Sequence, residues 1–565
     1  MCAELHLTPA GIVPHVSPKP LTSNPALAKV VYRNHWRDIF DGQTPPDWQP
    51  TMSVSVVIAS YNSKTVGLTL ASLAAQDYPE DLLEVIVVDD GSQPPVTIEG
   101  PAPKNLRLIR VKEGEGWGRS NAMDTAIRAS SGDIIYWVDS DMVLFRDNVR
   151  QHAKWAHFIP EAATIGDKGF LETWDLTPQQ VYEDVSSDKI RSLADPATLH
   201  RHWSLDVYDR TDDLNDSDGR NYSTHMGATA SVTRLVYERT NGQDTRLHLG
   251  EDTEIAYQLW QAGAVFIPVH EGYAWHLGRA TVQDKGEAVA RINNVYFAQR
   301  MPIPRYRRSA TRRIWEVPLL TVVVRIDDET AKFARACVDR VLNSLEADLK
   351  VILVGPWSRL HDGRRRVLAD PDSEYYLIHE WFRSDARVEF VETAPDRVFP
   401  SPFRIDLPVT AGVNPEGLRS IYRRIDGKHL GRVHFFTPGH ATDQAVTVTH
   451  APAYERALRY APAGSATDGP GDMDEVIDAV WGLEWAGLPE EQLYDLRAVD
   501  LAGPVDGSDP AVVALKEELD ELRTALKLAK RMGGGRLVRG AERVSKLVGR
   551  GKRKVRRIVR ERTGA

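Results

Sequence analysis

Two cysteines in 565 residues, Cys2 and Cys337, exclude a disulfide framework and a cysteine-rich zinc site, and they suit a reducing compartment. No apolar run approaches the ~18 residues needed to span a bilayer. The opening Met1-Cys2-Ala3-Glu4-Leu5-His6 has neither a basic n-region nor an apolar h-region. A cytoplasmic chain is therefore expected. Positive charge is also short, with 70 Lys and Arg against 79 Asp and Glu and a net charge of −9. Between Arg536 and Arg562, however, twelve Lys and Arg face only Glu542 and Glu561. That segment carries about +10 and the remainder about −19.

The length exceeds what one hydrophobic core usually supports, so two or more domains are expected. Residues 1–50 are Pro-rich and irregular, with one helix expected at 26–40. From Val54 onward, strands expected at 54–59, 83–88, 106–111 and 134–138 alternate with helices at 63–76 and 120–129. Helices at 235–241 and 253–262 and a short strand at 265–268 follow. The pattern implies an α/β fold with a mostly parallel sheet covered by helices on both faces. After a basic linker at 305–313 the pattern repeats, with strands at 319–324 and 349–354 around a helix at 332–345. The segment 431–436 reads as the counterpart of 132–137, and 480–487 as that of 257–263. In this alignment Gly355-Pro356 replace Asp89-Asp90, and Pro438-Gly439-His440 replace Asp139-Ser140-Asp141. A metal site cannot be built from those residues, so the expectation is one chemical site, in the first half.

Three acidic clusters carry the chemistry of that half: Asp89-Asp90, Asp139-Ser140-Asp141 and Glu251-Asp252. The first two each end an expected buried strand, and in open parallel sheets ligands sit beyond the carboxyl ends of the strands. An Asp-x-Asp there supplies oxygen ligands for Mg²⁺ or Mn²⁺, although an acidic turn is an equally simple account. Asp89-Asp90-Gly91-Ser92 offers carboxylates to a base or ribose, or is a capped turn. Glu251-Asp252 lies at a helix start, where a general base or a plain N-terminal cap would both fit. His276 is a third metal ligand or a structural histidine beneath Trp275. Gly114–Asn121 is a Gly-rich loop opening a helix, too deep in the domain for a dinucleotide fingerprint. Its Arg119 is suited to a diphosphate.

Taken in order, these motifs resemble the family 2 glycosyltransferases. Val56-Val57-Ile58-Ala59-Ser60-Tyr61-Asn62 is similar to their first strand and turn, and Gln76-Asp77-Tyr78-Pro79 with Val87–Ser92 to their nucleotide-binding segment. Gly118-Arg119-Ser120-Asn121 and Gly132-Asp133 lead to Asp139-Ser140-Asp141, which matches the metal motif. Gly250-Glu251-Asp252-Thr253-Glu254 resembles the segment bearing the base. The resemblance implies a GT-A nucleotide-diphospho-sugar transferase fold and an inverting, metal-dependent transfer from a nucleotide-sugar donor, a UDP-sugar first of all. Ser60, Tyr61, Asn62, Asp89, Asp90, Arg119, Asn121 and Asp139 would bind the donor. Asp139, Asp141 and His276 would hold Mn²⁺ or Mg²⁺. Asp252, with Glu251 beside it, would deprotonate the acceptor hydroxyl. Processive members carry a Gln-x-x-Arg-Trp segment after the base; none follows Asp252, so one or a few additions are expected.

The domain boundaries implied are an N-terminal extension at 1–50, a catalytic GT-A domain at 51–305 and a degenerate GT-A-like domain at 316–500. An amphipathic helix or short coiled coil at 511–532 and a basic tail at 536–565 complete the chain. The acceptor is expected to be a glycan or lipid-linked sugar, as in cell-surface polysaccharide or glycoconjugate synthesis. The tail would bring the enzyme to an anionic membrane face, and 511–532 would mediate self-association. Nucleic acid is not an expected partner. The rival reading is a non-catalytic glycan-binding or scaffolding protein. The segment 169–222, with Trp174, Trp203, Asp206 and Asp209, would form the acceptor side.

Overall fold

The computed structural model describes residues 30–40 and 45–499, apart from 113, 115, 197–198, 248, 280, 309–312, 364, 462–470 and 472. The expected helix at 511–532, the basic tail and residues 1–29 lie outside the described residues. No described helix is long and apolar enough to cross a membrane.

Eight strands form the first sheet: β1 (Val54–Ser60), β2 (Leu83–Asp89), β3 (Leu106–Arg110), β4 (Ile134–Val138), β5 (Met142–Leu144), β6 (Ala162–Leu171), β7 (Thr229–Thr233) and β8 (Val265–Leu277). Their order is β3-β2-β1-β4-β7-β6-β8-β5. β3, β2, β1 and β4 run parallel, and β7 runs antiparallel to both β4 and β6. The central parallel strands β1, β2 and β4 are buried on both faces, as expected where helices cover both, whereas the edge strand β3 is largely exposed. Val54, Val56 and Ile58 pack with Val85, Val87, Leu70 and Val149 on one side. Ser60 pairs with Asp89 at the end of β1 and β2, which puts the first acidic cluster on the carboxyl edge.

A second sheet repeats this plan. Its strands are β9 (Leu320–Arg325), β10 (Leu349–Val354), β11 (Val388–Val391), β12 (Phe403–Asp406), β13 (Ala411–Val413), β14 (Arg432–Phe436), β15 (Val446–His450), β16 (Leu483–Gly487) and β17 (Leu493–Asp495). The order β11-β10-β9-β12-β15-β14-β16 is the first sheet's order strand for strand, with β13 and β17 paired separately. The register agrees as well. Val54 aligns with Leu83 and Ile134, and Leu320 aligns with Leu349 and Phe403.

This topology corrects the alignment expected from sequence. The counterpart of β4 is β12, while 431–436 contains β14 and takes the place of β6. Pro408-Val409-Thr410, not Pro438-Gly439-His440, therefore stand where Asp139-Ser140-Asp141 stand. Likewise Ala411 pairs with Asp495 as Met142 pairs with His276, so Asp495 takes the histidine's position. Residues 480–487 contain the strand β16 and not a helix like 257–261.

Other expectations shift for local reasons. Only Trp36–Phe40 of the expected N-terminal helix is helical among the described residues, as a 3-10 turn. Residues 30–34 lead into it through a turn at Arg33-Asn34, with Arg33 at φ +51°. The helix expected at 63–76 is confined to Val66–Ala74, because the Ser63 and Thr65 side chains are engaged in the loop before it. β8 is far longer than 265–268: exposed His270-Glu271 interrupt its apolar run but not its backbone. The start of the basic linker is folded in, with Arg305 bidentate to Glu346 and Arg308 paired with Asp348.

Both sheets lie within one compact unit that ends at Leu496. Fully buried Arg456 is its pin. It donates to the carbonyls of Gly263 (3.0 Å) and Ala264 (3.1 Å) in the turn that leads into β8, and to those of Val31 (3.0 Å) and Arg33 in the N-terminal segment. Its guanidinium lies 4.9 Å from the Trp481 ring centroid. Neighbouring Glu455 takes Arg239 from one half and Arg397 from the other.

Candidate active site

Asp139, Ser140 and Asp141 form the turn between β4 and β5. The Asp139 amide donates to Ala228 O, and the Thr65 hydroxyl donates to Ser140 O at 2.9 Å. These contacts hold the turn against its neighbours. β5 pairs with the far half of β8, placing His276 opposite Met142, and the Leu277 amide donates to Asp141 O at 2.8 Å. The ligand atoms of Asp139, Asp141 and His276 consequently all lie within 4.8 Å of one another. His276 Nε2 stands 3.7 Å from Asp141 Oδ1.

The electrostatics suit a cation there. Burial, and then the charge of Asp139, push Asp141 up to about 7, while burial lowers His276 and keeps it neutral. Buried Asp141 Oδ1 and His276 Nδ1 have no hydrogen-bond partner, an arrangement that costs free energy unless a ligand fills it. Two carboxylates and a neutral imidazole form a donor set for Mn²⁺ or Mg²⁺.

Glu251 and Asp252 open the helix Glu251–Gln261. Gly250 precedes them with φ +76°, and a Cβ there would sit 2.5 Å from Asn293 Nδ2 and 2.6 Å from Phe297 Cζ. Only glycine lets the helix Thr281–Arg300 press this close to the acidic turn. Glu251 is buried. Asp252 is half-buried and accepts from the Thr253 amide at 2.7 Å. Burial and then the charge of Glu251 lift Asp252 to about 6, against the pull of Arg119.

Arg119, the first residue of the helix Arg119–Ala129, lies between these two acidic motifs. It donates to Asp139 Oδ1 (2.7 Å from Nη2), to Glu251 Oε1 (2.7 Å from Nη1) and to Gly227 O (3.0 Å). Burial by itself would lower the guanidinium; Asp139, Glu251 and Asp252 outweigh it and hold it above the ordinary arginine value.

On the other side of the edge, Asp89 is taken up by its own loop. Its oxygens accept from the Ser92 and Val96 amides and from Arg110 Nη1 at 2.6 Å. Burial would raise its pKa, but the Ser92 and Val96 bonds and Arg110 prevail and lower it. Asp90 differs. Oδ2 accepts from the Gly118 amide at 2.7 Å, Oδ1 is buried without a partner, and burial raises the group. Ser60 Oγ and Asn121 Nδ2 are likewise buried and unpartnered. Asn62, at φ +50°, accepts from the Gln93 amide. Tyr61 is exposed and meets exposed Trp117 edge-on at 5.8 Å.

Lys168 was not singled out from sequence. It follows a register shift in β6, of the kind that re-aims a side chain. Burial lowers its pKa, and the nearby charges of Asp139, Asp167 and Asp252 counter this without overcoming it. Lys168, His202 and Tyr273 line a cavity of about 340 Å³. His202 stacks on Phe170, which in turn packs 4.7 Å from His276. Nearby, Trp174 and Trp203 are exposed, whereas Asp206 and Asp209 are held by Arg201.

Residues 55–213 match the family model described as glycosyl transferase family 2. The chain is similar to chondroitin synthase of Pasteurella multocida (strain Pm70), 24% identical over 326 residues, covering 54% of this chain and 33% of that protein. Chondroitin synthase of Escherichia coli is 24% identical over 350 residues, covering 58% of this chain and 49% of that one. The chain thus spans between a third and a half of the length of these relatives. Among solved structures, S. aureus TarS is similar with a TM-score of 0.30 and 16% identity, over 45% of this chain and 41% of that one.

Proposed function

We propose, from the match of residues 55–213 to the family 2 glycosyltransferase model, an inverting, divalent-metal-dependent transfer of a sugar from a nucleotide-diphosphate donor to an acceptor hydroxyl. The observation that carries the reading is a set of unpartnered polar atoms on residues at the strand ends and on the elements beside them. Ser60 Oγ, Asp90 Oδ1, Asn121 Nδ2, Asp141 Oδ1 and His276 Nδ1 are all buried without partners. Buried polar atoms are normally satisfied, so such a set suits a polar ligand.

In this mechanism Asp90, Ser60 and Asn121 bind the nucleoside end of the donor, with Tyr61 beside them. Asp139, Asp141 and His276 would hold Mn²⁺ or Mg²⁺, which supplies positive charge to the leaving diphosphate. Asp252 accepts the acceptor hydroxyl's proton as that oxygen bonds to the anomeric carbon. The bond from that carbon to the diphosphate oxygen breaks on the opposite face, and the configuration inverts. Arg119 keeps the carboxylates of Asp139 and Glu251 in place through both ion pairs. A carboxylate near pKa 6 is well matched to a general base at neutral pH.

The acceptor side is assigned to the cavity beside Lys168, with Trp174 and Trp203 as sugar-stacking surfaces. The acceptor is a glycan or lipid-linked sugar, one or a few units are added, and UDP-sugars are the first donors to test. Names of the relatives support a role in polysaccharide synthesis. We further assign residues 51–305 to the catalytic domain and 316–500 to a degenerate copy, supported by the repeated strand order and by Pro408 and Thr410 in place of both metal-motif aspartates. Membrane association through 536–565 and a cytoplasmic location belong to the same proposal. Liposome flotation of the full chain against a chain ending at Met532 tests the former; equal flotation sinks it.

Release of nucleoside diphosphate from a panel of donors, with Mn²⁺ and with EDTA, tests the reaction. Turnover of one donor, abolished by EDTA, is the expected result.

A further inference from the structure

A cavity of about 410 Å³ lies where three parts of the chain meet: Arg220–Ser223 of the first half, Ile303–Arg307 of the connecting segment, and Tyr422 and Asp426 of the second half. It shares no lining residue with the catalytic edge. Its charge is unbalanced. Arg220 is matched by Asp218 and Asp426, and Arg305 by Glu346. Arg307 has no ion pair among the described residues. Its Nε and Nη1 are buried without an acceptor, and the guanidinium hydrogen-bonds the neutral Tyr222 hydroxyl, which gives its own proton to Ile303 O at 2.8 Å.

A shielded guanidinium with no counter-charge is costly, and such groups are normally paired. Arg307 is also held in place, 5.2 Å from the Phe297 ring centroid and 5.1 Å from that of Tyr306. A fixed guanidinium that lines a cavity with no counter-charge is suited to a planar or tetrahedral oxyanion. The Tyr306 ring is 75% exposed and offers an apolar face to whatever carries the anion. We propose that this cavity binds a carboxylate- or phosphate-bearing saccharide, with Arg307 pairing with the anion. The anion site stands independently of the transferase reading, whereas the saccharide carrier rests on it. Phe297 connects the cavity to the catalytic helix, because its ring also packs against Gly250.

The test is calorimetric titration of the full chain with glucose, glucuronate, glucose 6-phosphate and inorganic phosphate at constant ionic strength. Wild type would be compared with Arg307→Gln and Tyr306→Ala. Glucose is expected to be silent, and at least one charged sugar to bind, weakened at least about tenfold in Arg307→Gln. Glucuronate alone would identify a carboxylate site, and glucose 6-phosphate alone a phosphate site. Tyr306→Ala, which removes an exposed ring, should weaken the charged sugar and leave inorganic phosphate unchanged. Binding of nucleoside diphosphate with Mn²⁺ in the same preparations should be unaltered, which certifies folding. No binding of either charged sugar by wild type, or equal binding by Arg307→Gln, overturns the proposal. Inorganic phosphate binding as tightly as glucose 6-phosphate overturns the saccharide part. Donor turnover is measured separately, so an inactive enzyme with an intact anion site would indict the transferase reading alone.

Discussion

Arg119 joins Asp139 to Glu251, reaching one carboxylate with Nη2 and the other with Nη1, each at 2.7 Å. The strand-end acids and the helix-start acids, over a hundred residues apart in sequence, therefore share one cation. Gly227 lies against the same guanidinium so closely that a side chain there would collide with it.

Arg119→Met should accordingly do more than remove a charge. It leaves Glu251 buried beside Asp252 with no cation, a change that typically costs about 3–5 kcal/mol. Lower thermal stability and loss of turnover are expected together, whereas Arg119→Lys should restore part of the stability. Thermal melts with donor turnover check this; an Arg119→Met enzyme of wild-type stability and rate contradicts it.

Asp252→Asn should lower kcat by about 10²–10⁴-fold with donor binding retained, the usual range for removing a general base. Because Asp252 sits near pKa 6 and works deprotonated, wild-type kcat/KM should rise with pH through about 6 and then level off. That acid limb should be missing from the residual activity of Asp252→Asn.

His276→Phe keeps a ring against Phe170 but removes a nitrogen ligand. The metal concentration for half-maximal activity should rise by more than the ~10–100-fold seen when a mere supporting partner of a ligand is lost. Fold should persist. A metal-activation curve identical to wild type would remove His276 from the site.

Acid should destabilise the protein through its buried histidines. Burial lowers His152 and His450 to about 3 and His225 to about 4. Their unfolded forms take up protons near 6.5, so the stability they contribute is present above pH 6.5 and lost as pH falls towards 4. Denaturant midpoints across pH 7.5 to 4.5 should show a steady decline starting near 6.5.

Arg456→Met should uncouple the two sheets, since it strips the donors from four buried carbonyls. A loss of at least about 1–3 kcal/mol is expected, the usual cost of leaving a buried acceptor unpaired. The single unfolding transition of the wild type should broaden or split, as seen by calorimetry.

Much of this was legible in sequence because β2 and β4 are mainly apolar runs that lead straight into acids, and parallel strands buried on both faces read that way. Asp139 and Asp141 stand out in sequence because they follow such a run, and Glu251 and Asp252 because they open an amphipathic helix. What the sequence hid was set by pairing across the sheet. The ion pairs of Arg119 with Asp139 and Glu251 had no signal in sequence, because both partners come from other elements. Lys168 lies in Gly166-Asp167-Lys168-Gly169, which reads as a turn and is a bulged strand. The second half was misaligned for a similar reason. β12 carries Arg404 and Asp406, which are buried as a bidentate pair, so its polarity disguises a central strand.

The most direct test of the account is nucleoside diphosphate release from a UDP-sugar panel, with Mn²⁺, Mg²⁺ or EDTA, for wild type, Asp141→Ala and Asp252→Asn. The account predicts metal-dependent turnover of one donor, lost in Asp141→Ala, and much reduced in Asp252→Asn although that variant still binds the donor. Turnover that persists in EDTA and in Asp141→Ala would contradict it.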